Sequence, residues 1–161
     1  IGIGKFTDIL FHVEKPKESA YKIEGLETAV ASTSSNSETK VVEKVDIAQL
    51  LSLGDLAHGE KVFKKCSACH MIASDGKNMI GPNLWEVIGR TAGSVSDYKY
   101  SKAMVAYGKA WNFEEMNAYL IKPQAYIKGT KMAFAGLRKE KDRASVILYM
   151  NSKSSSPKPL P

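Results

Sequence analysis

The sequence predicts an all-α domain, several short helices joined by loops, carried behind a flexible N-terminal extension. Three observations carry that reading. Between positions 46 and 152, apolar residues recur at three- and four-residue spacing behind Asp, Ser or Asn residues able to cap helices, and no segment there alternates convincingly as a strand. A Ser- and Thr-rich stretch ahead of this region is too poor in large apolar side chains to form a core. The only two cysteines of the chain lie in one run, Cys66-Ser67-Ala68-Cys69-His70, rather than in a disulfide framework or a second ligand pair.

The 161 residues are 43% hydrophobic and 25% charged, an ordinary globular balance that supports one domain with a modest core. No apolar run reaches the ~18 residues that a membrane-spanning helix needs. The chain begins without Met, inside the apolar stretch Ile1-Gly2-Ile3-Gly4, and is expected to be a processed or trimmed product whose signal or anchor lies upstream. Its charge of +6 is uneven: residues 1–48 carry 6 Lys against 8 Asp and Glu, a net −2, and residues 49–161 carry 17 Lys and Arg against 9 acidic residues, a net +8. The basic residues form no dense tract and interleave with no nucleic-acid motif, so an acidic protein surface, and no nucleic acid, is the expected partner.

Taken in order, residues 1–27 are expected to be membrane-proximal. Phe6, Ile9, Leu10 and Val13 mark one face of a short amphipathic helix, read as the exit of a membrane anchor lying upstream of or at residue 1, with an interfacial segment or a locally packing helix as the alternatives. Tyr21 to Glu24 alternates like a strand but is too short to count as one. Residues 28–45 read as a flexible linker. Its Ser- and Thr-rich part, Thr28 to Lys40, spans roughly 20 Å root-mean-square as a random coil.

Order is expected to return near Asp46, opening a domain over 46–152. Asp55 caps a helix through Leu56, Gly59, Val62, Phe63 and Cys66, in which Gly59 costs about 1 kcal/mol against Ala and so points to close backbone contact with another element. Gly76, Gly81-Pro82 and Gly89 mark a looped middle. Ser101 starts a short helix over Met104 and Val105, and Asn112 starts another carrying Phe113, Met116, Tyr119 and Leu120, closed at Pro123. Glu140 to Ser152 forms the last helix, burying Val146, Ile147 and Met150 with Tyr149 alongside, and residues 153–161, rich in Ser, Lys and Pro, are expected to be a disordered tail.

Cys66-Ser67-Ala68-Cys69-His70 is a C-x-x-C-H run, the arrangement for covalent haem attachment: two thiols add to two vinyl groups and become thioethers. His70 is then held where its imidazole reaches the iron as the proximal ligand. A structural zinc site would need four protein ligands, and His12 and His58 show no ligand spacing to one another. A thiol–disulfide redox pair would want a strand–motif–helix setting that is absent here. The run leaves the other axial position open. A second thioether or imidazole there leaves the iron able only to pass electrons, whereas a vacant position binds small molecules or activates peroxide.

Over about residues 54 to 151 the chain resembles class I, mitochondrial-like cytochrome c. Lys61-Val62-Phe63-Lys64-Lys65-Cys66 leads into the haem motif as in that family, Gly81-Pro82-Asn83-Leu84 follows at its spacing, and Tyr126 to Phe134, containing Gly129-Thr130-Lys131-Met132, looks like its methionine-ligand loop. The resemblance implies the class I cytochrome c fold, wrapped around one covalent haem c on Cys66 and Cys69. It implies Met132 as distal ligand, 62 residues past His70, so that His70 and Met132 are the metal ligands. It implies that the Pro82 carbonyl accepts from His70 Nδ1–H, that Arg90, Tyr100 and Trp111 hold the inner propionate, and that Tyr119 and Thr130 lie near the Met132 sulfur. Gly59 and Tyr149 fall where the first and last helices cross. Each aromatic also has an ordinary role in core packing.

Two departures stand out. Lys128 replaces a Pro usual before Gly-Thr-Lys-Met, which removes a rigid φ from the loop. Gln124 and Ala125 replace two common lysines, leaving Lys65, Lys77, Lys128, Lys131, Arg138 and Lys139 for a weaker or shifted docking face.

The layout also resembles membrane-anchored bacterial cytochromes c: an acidic extension, a Ser-rich linker, then the haem domain. The resemblance implies a one-electron carrier and not an enzyme, moving electrons in a respiratory chain from quinol–cytochrome c reductase to terminal cytochrome c oxidase. A haem peroxidase or small-molecule-binding haem protein with an open distal site is the alternative. Covalent attachment requires reduced thiols outside the cytoplasm, so the expected location is the periplasmic side of the bacterial inner membrane, with the mitochondrial intermembrane space as the alternative.

Overall fold

A computed structural model describes residues 46–161. The expected membrane-proximal segment 1–27 and the linker up to residue 45 lie outside the described residues. Six helices are present among those described: α1 (Ile47–Ser52), α2 (Leu56–Phe63), α3 (Lys102–Tyr107), α4 (Phe113–Ile121), α5 (Pro123–Tyr126) and α6 (Glu140–Ser152). They contain no strand; a single antiparallel bridge joins Thr91 and Ala110. None of these helices is long and apolar enough to cross a membrane.

Local chemistry starts the helices where the sequence suggests. Asp55 accepts from the His58 N–H at 2.7 Å, Ser101 from Met104 at 3.1 Å, and Asn112 from Glu115 at 2.7 Å, each satisfying a donor that the first turn would leave bare. α1 is an addition to the sequence reading: Asp46 accepts from Ala48 and Gln49, and Ile47, Leu50 and Leu51 are buried. Pro123 lies beyond the end of α4 and also opens α5, since its fixed φ suits a first helical position.

α6 forms the floor of the domain, packing across α2 and against α1 and α4. Ile147 is 0% exposed, and burying such a side chain is worth roughly 1.5–3 kcal/mol. The α2–α6 crossing depends on Gly59, where a Cβ would stand 2.1 Å from the Ser145 carbonyl oxygen and 2.8 Å from Tyr149 Cβ. The Phe63 and Tyr149 rings meet beside it at 5.3 Å. His58 Nε2 and Asp142 Oδ1, 2.8 Å apart, close the same crossing at its rim.

Arg143, in register with Val146, Ile147 and Met150 on the inner face of α6, is only 4% exposed. Its guanidinium donates to Asn117 Oδ1 at 2.7 Å and to the Leu137 and Arg138 carbonyls at 2.9 and 2.8 Å, so α6 is bound to α4 and to the loop before it.

The C-terminal tail is not the disordered segment expected. Asn151 and Lys158 exchange two hydrogen bonds at 2.9 Å, the Glu86 N–H donates to the Lys153 carbonyl at 2.9 Å, and the Ser155 N–H donates to Glu86 Oε1 at 3.1 Å. A Ser-, Lys- and Pro-rich tail has little apolar surface to bury. Two polar side chains elsewhere, Asn151 and Glu86, supply what ties it down.

Candidate haem site

The turns that follow α2 carry the C-x-x-C-H run. Cys66 N–H donates to the Phe63 carbonyl at 2.7 Å, and the N–H groups of Cys69 and His70 both reach the Cys66 carbonyl at 3.0 Å. The run is thereby coiled tightly, with both cysteines and His70 on the wall of one cavity of about 540 Å3. That size falls within the roughly 300–1,000 Å3 usual for cofactor and ligand sites. Apolar side chains such as Leu84, Val87, Met104, Leu120 and Phe134 make up much of the wall.

His70 is oriented by the loop facing it. Its Nδ1 lies 2.7 Å from the Pro82 carbonyl oxygen, a pure acceptor, so Nδ1 carries the proton and Nε2 keeps its lone pair for a metal. Burial lowers the His70 pKa, with Arg90 adding to the effect against the Pro82 bond, so the imidazole stays neutral as ligation requires. Gly81 packs on the ring: a Cβ there would sit 2.2 Å from His70 Cε1. The Gly81 N–H donates to the Cys69 carbonyl at 2.8 Å and locks the loop to the haem motif.

Every haem-pocket position read from the sequence lines this same cavity: Cys66, Cys69, His70, Pro82, Arg90, Tyr100, Trp111, Tyr119, Thr130 and Met132. Arg90 donates to the Trp85 and Asn83 carbonyls at 3.0 and 2.8 Å, so two backbone bonds hold its guanidinium at the wall. The Trp111 and Tyr119 rings lie 4.9 Å apart, tilted by 41°. The Tyr119 hydroxyl and Thr130 Oγ1 are 3.1 Å apart, and Thr130 Oγ1 accepts from the Met132 N–H at 3.4 Å, which links α4 to the loop bearing Met132.

The donor set fits a covalent haem and fits its rivals poorly. Burial pushes the Cys66 thiol up to about 11, far from the lowered pKa of a thiol–disulfide redox centre. Among the described residues no three His, Cys, Asp or Glu side chains gather as a metal cluster, and His58 is engaged with Asp142. What the cavity offers is two thiols, an oriented imidazole, a thioether and polar groups set in an apolar wall.

The six basic residues of the expected docking face are only partly brought together. Lys65 and Lys131 line the cavity, Lys65 lying 3.8 Å from Asp142 Oδ2 and Lys131 donating to the Lys99 carbonyl at 2.8 Å. Lys77 borders a separate shallow recess beside Trp85 and Tyr149. Lys128, Arg138 and Lys139 are exposed and lie off the cavity wall. Four wall residues escaped the sequence reading: Ile80, Val87, Thr91 and Tyr98. Ile80 is 77% exposed, and the Tyr98 hydroxyl donates to its carbonyl at 2.6 Å. Their pairing spans 18 residues of loop and leaves no periodic trace.

Residues 56–154 match the family model for cytochrome c. The chain is 39% identical to a cytochrome c homolog of Rickettsia bellii over 93% of its length and 84% of that protein's. It is 35% identical to a cytochrome c homolog of Bradyrhizobium diazoefficiens, over 99% of its own length and 86% of the relative's. Cytochrome cH from Methylobacterium extorquens superposes with a TM-score of 0.59 at 37% identity, covering 62% of this chain and all of that one.

Proposed function

The chain belongs to the cytochrome c family, electron carriers with covalent haem c and not enzymes, and from that premise we propose that it is a respiratory carrier whose iron is held by His70 and Met132. Bound through Cys66 and Cys69, haem c supplies a one-electron Fe(III)/Fe(II) couple. The observation that carries the proposal is that His70, with Nδ1 committed to Pro82, and Met132, on the loop tied to Tyr119 through Thr130, line one cavity. With His70 and Met132 both holding the iron, no position would be left for peroxide to be activated. His70 is made a better donor by its Pro82 bond, and Met132 favours the reduced iron relative to a second imidazole.

Arg90, Tyr100 and Trp111 hold the inner propionate, since a buried carboxylate needs donors. Tyr119 and Thr130 set the polarity around the Met132 sulfur. Lys65 and Lys131, on the cavity wall, with Lys77, Lys128, Arg138 and Lys139 further out, steer docking onto the acidic faces of quinol–cytochrome c reductase and cytochrome c oxidase. An N-terminal anchor upstream of or at residue 1 keeps the carrier at the periplasmic side of the bacterial inner membrane, which raises its effective concentration at its partners.

An absorption spectrum of the oxidised holoprotein tests the ligand pair. Low-spin iron with a Met-to-iron charge-transfer band is expected, and Met132→Ala should abolish the band and lower the potential. A high-spin wild type, or an unchanged potential in the variant, defeats the proposal. Electron transfer to an oxidase should slow as ionic strength rises, and a salt-independent rate defeats the basic docking face.

A further inference from the structure

Lys128 removes a proline from the approach to Met132, yet that approach is tied down by another route. Glu115 sits in the first turn of α4, three residues after the capping Asn112. A glutamate there ordinarily folds back onto the N–H of the cap residue. Here the Asn112 N–H donates instead to the Ala110 carbonyl at 2.9 Å, and the Glu115 carboxylate reaches outward. Oε2 accepts from the Tyr126 hydroxyl at 2.6 Å and from the Tyr107 hydroxyl, while Oε1 accepts from Lys109 Nζ at 3.1 Å.

Those partners come from three places: Tyr107 ends α3, Lys109 follows it, and Tyr126 is the last residue of α5, immediately before the loop that runs to Met132. The Glu115 side chain is 18% exposed, while Tyr126 is 40% exposed, so the bond between them lies at the edge of the surface with its acceptor largely covered. The tyrosine rings continue to the cavity wall: Tyr126 lies 6.4 Å from Tyr119, and Tyr107 5.6 Å from Trp111. Burial alone would raise the Glu115 pKa, but the two phenols and Lys109 together hold it below the usual carboxylate range. Burial, then Glu115, raises that of Tyr126. At neutral pH a charged acceptor therefore faces protonated donors, the stronger kind of hydrogen bond.

We infer that Glu115 is a positioning residue: by gripping Tyr126 at the end of α5 it takes over the stiffening that Pro would give the loop, and it sets how often Met132 leaves the iron. The inference rests on the reading of Met132 as distal ligand. A ligand that can bind only when Met132 is away shows an affinity reduced by the small fraction of open molecules, so its apparent affinity reports the grip directly.

The test is titration of ferric holoprotein with imidazole, followed by absorption, alongside urea unfolding. Glu115→Gln and Tyr126→Phe should each raise imidazole affinity about tenfold, the size of one charge-assisted hydrogen bond. The double variant should add little to either, and Tyr107→Phe, which leaves α5 held, should change affinity by less than about twofold. Imidazole affinity within twofold of the wild type in both single variants overturns the inference, including where urea stability falls and Glu115 is only a strut. Should Glu115→Gln fail to fold, Tyr126→Phe decides alone. Met132→Ala serves as the control: if it binds imidazole no tighter than the wild type, Met132 is not the ligand displaced, and the failure lies in that reading rather than in Glu115.

Discussion

The two walls of the haem cavity are built by different means. On the His70 side backbone bonds reach the ligand's own run, Gly81 N–H to the Cys69 carbonyl and Leu84 N–H to the Met71 carbonyl, both at 2.8 Å, and the Pro82 carbonyl to His70 itself, while the side chains of Asn83, Arg90 and Tyr98 brace the facing loop. On the Met132 side two backbone bonds, Thr130 N–H to the Ile127 carbonyl at 3.0 Å and Leu137 N–H to the Leu120 carbonyl at 2.8 Å, flank the ligand, and the ties nearest it are side chains: Tyr119 with Thr130, Tyr126 with Glu115, and Lys131 with the Lys99 carbonyl. A backbone frame survives most substitutions and fails only where a new atom collides with it. A frame of side chains can be loosened one bond at a time. The proximal wall is therefore rigid and intolerant, and the distal wall adjustable.

The contrast can be broken hardest at Gly81. Gly81→Ala places a Cβ inside the His70 ring and should cost about 3 kcal/mol of stability, read by urea unfolding of the holoprotein, with disturbed ligation in its spectrum. A silent Gly81→Ala would mean that the proximal wall yields as readily as the distal one. Across the cavity, Tyr119→Phe removes one neutral hydrogen bond and should cost about 1 kcal/mol while shifting the potential. A loss as large as that of Gly81→Ala would erase the distinction between the walls.

The smallest effect is expected outside both walls, at Asp142. His58, then Lys65, holds its carboxyl below the usual range, so the ionised form is favoured by folding. A depressed carboxyl contributes stability that is present at neutral pH and disappears as pH falls through the folded pKa, below about 4. Asp142→Asn should cost under about 1 kcal/mol at pH 7, as for other partly exposed pairs. Its urea midpoint should converge on that of the wild type in strong acid, and a difference that persists there would assign the effect to packing.

The sequence was most legible where one segment carries its own information. α6 runs from Glu140 to Ser152 as its apolar spacing predicts, and the caps at Asp55, Ser101 and Asn112 were visible because a cap needs only its own first turn. The pocket positions were legible through family motifs. α1 was missed as a helix although its signals are local too, a capping Asp46 and Ile47, Leu50 and Leu51 at helical spacing. Arg143 and Glu115 were opaque for a deeper reason. Glu115 looks like a surface charge on a helix and Arg143 like a charge misplaced on an apolar stripe, and each acquires its role from a partner on another element, Asn117 for Arg143 and Tyr126 for Glu115. The ordered tail depends likewise on Glu86, 69 residues before Ser155.

The α2–α6 crossing also bears on how the protein is made. His58 and Asp142 are 84 residues apart, so the contact that places Gly59 against Ser145 closes a loop spanning most of the domain. Loop closure of that length costs chain entropy that nothing offsets until α6 docks. The segment running from α2 into Cys66 therefore lacks its packing partner until the end of the domain is in place. Thiol attachment can act on an open chain, and α6 then arrives as the piece that closes the fold over work already done.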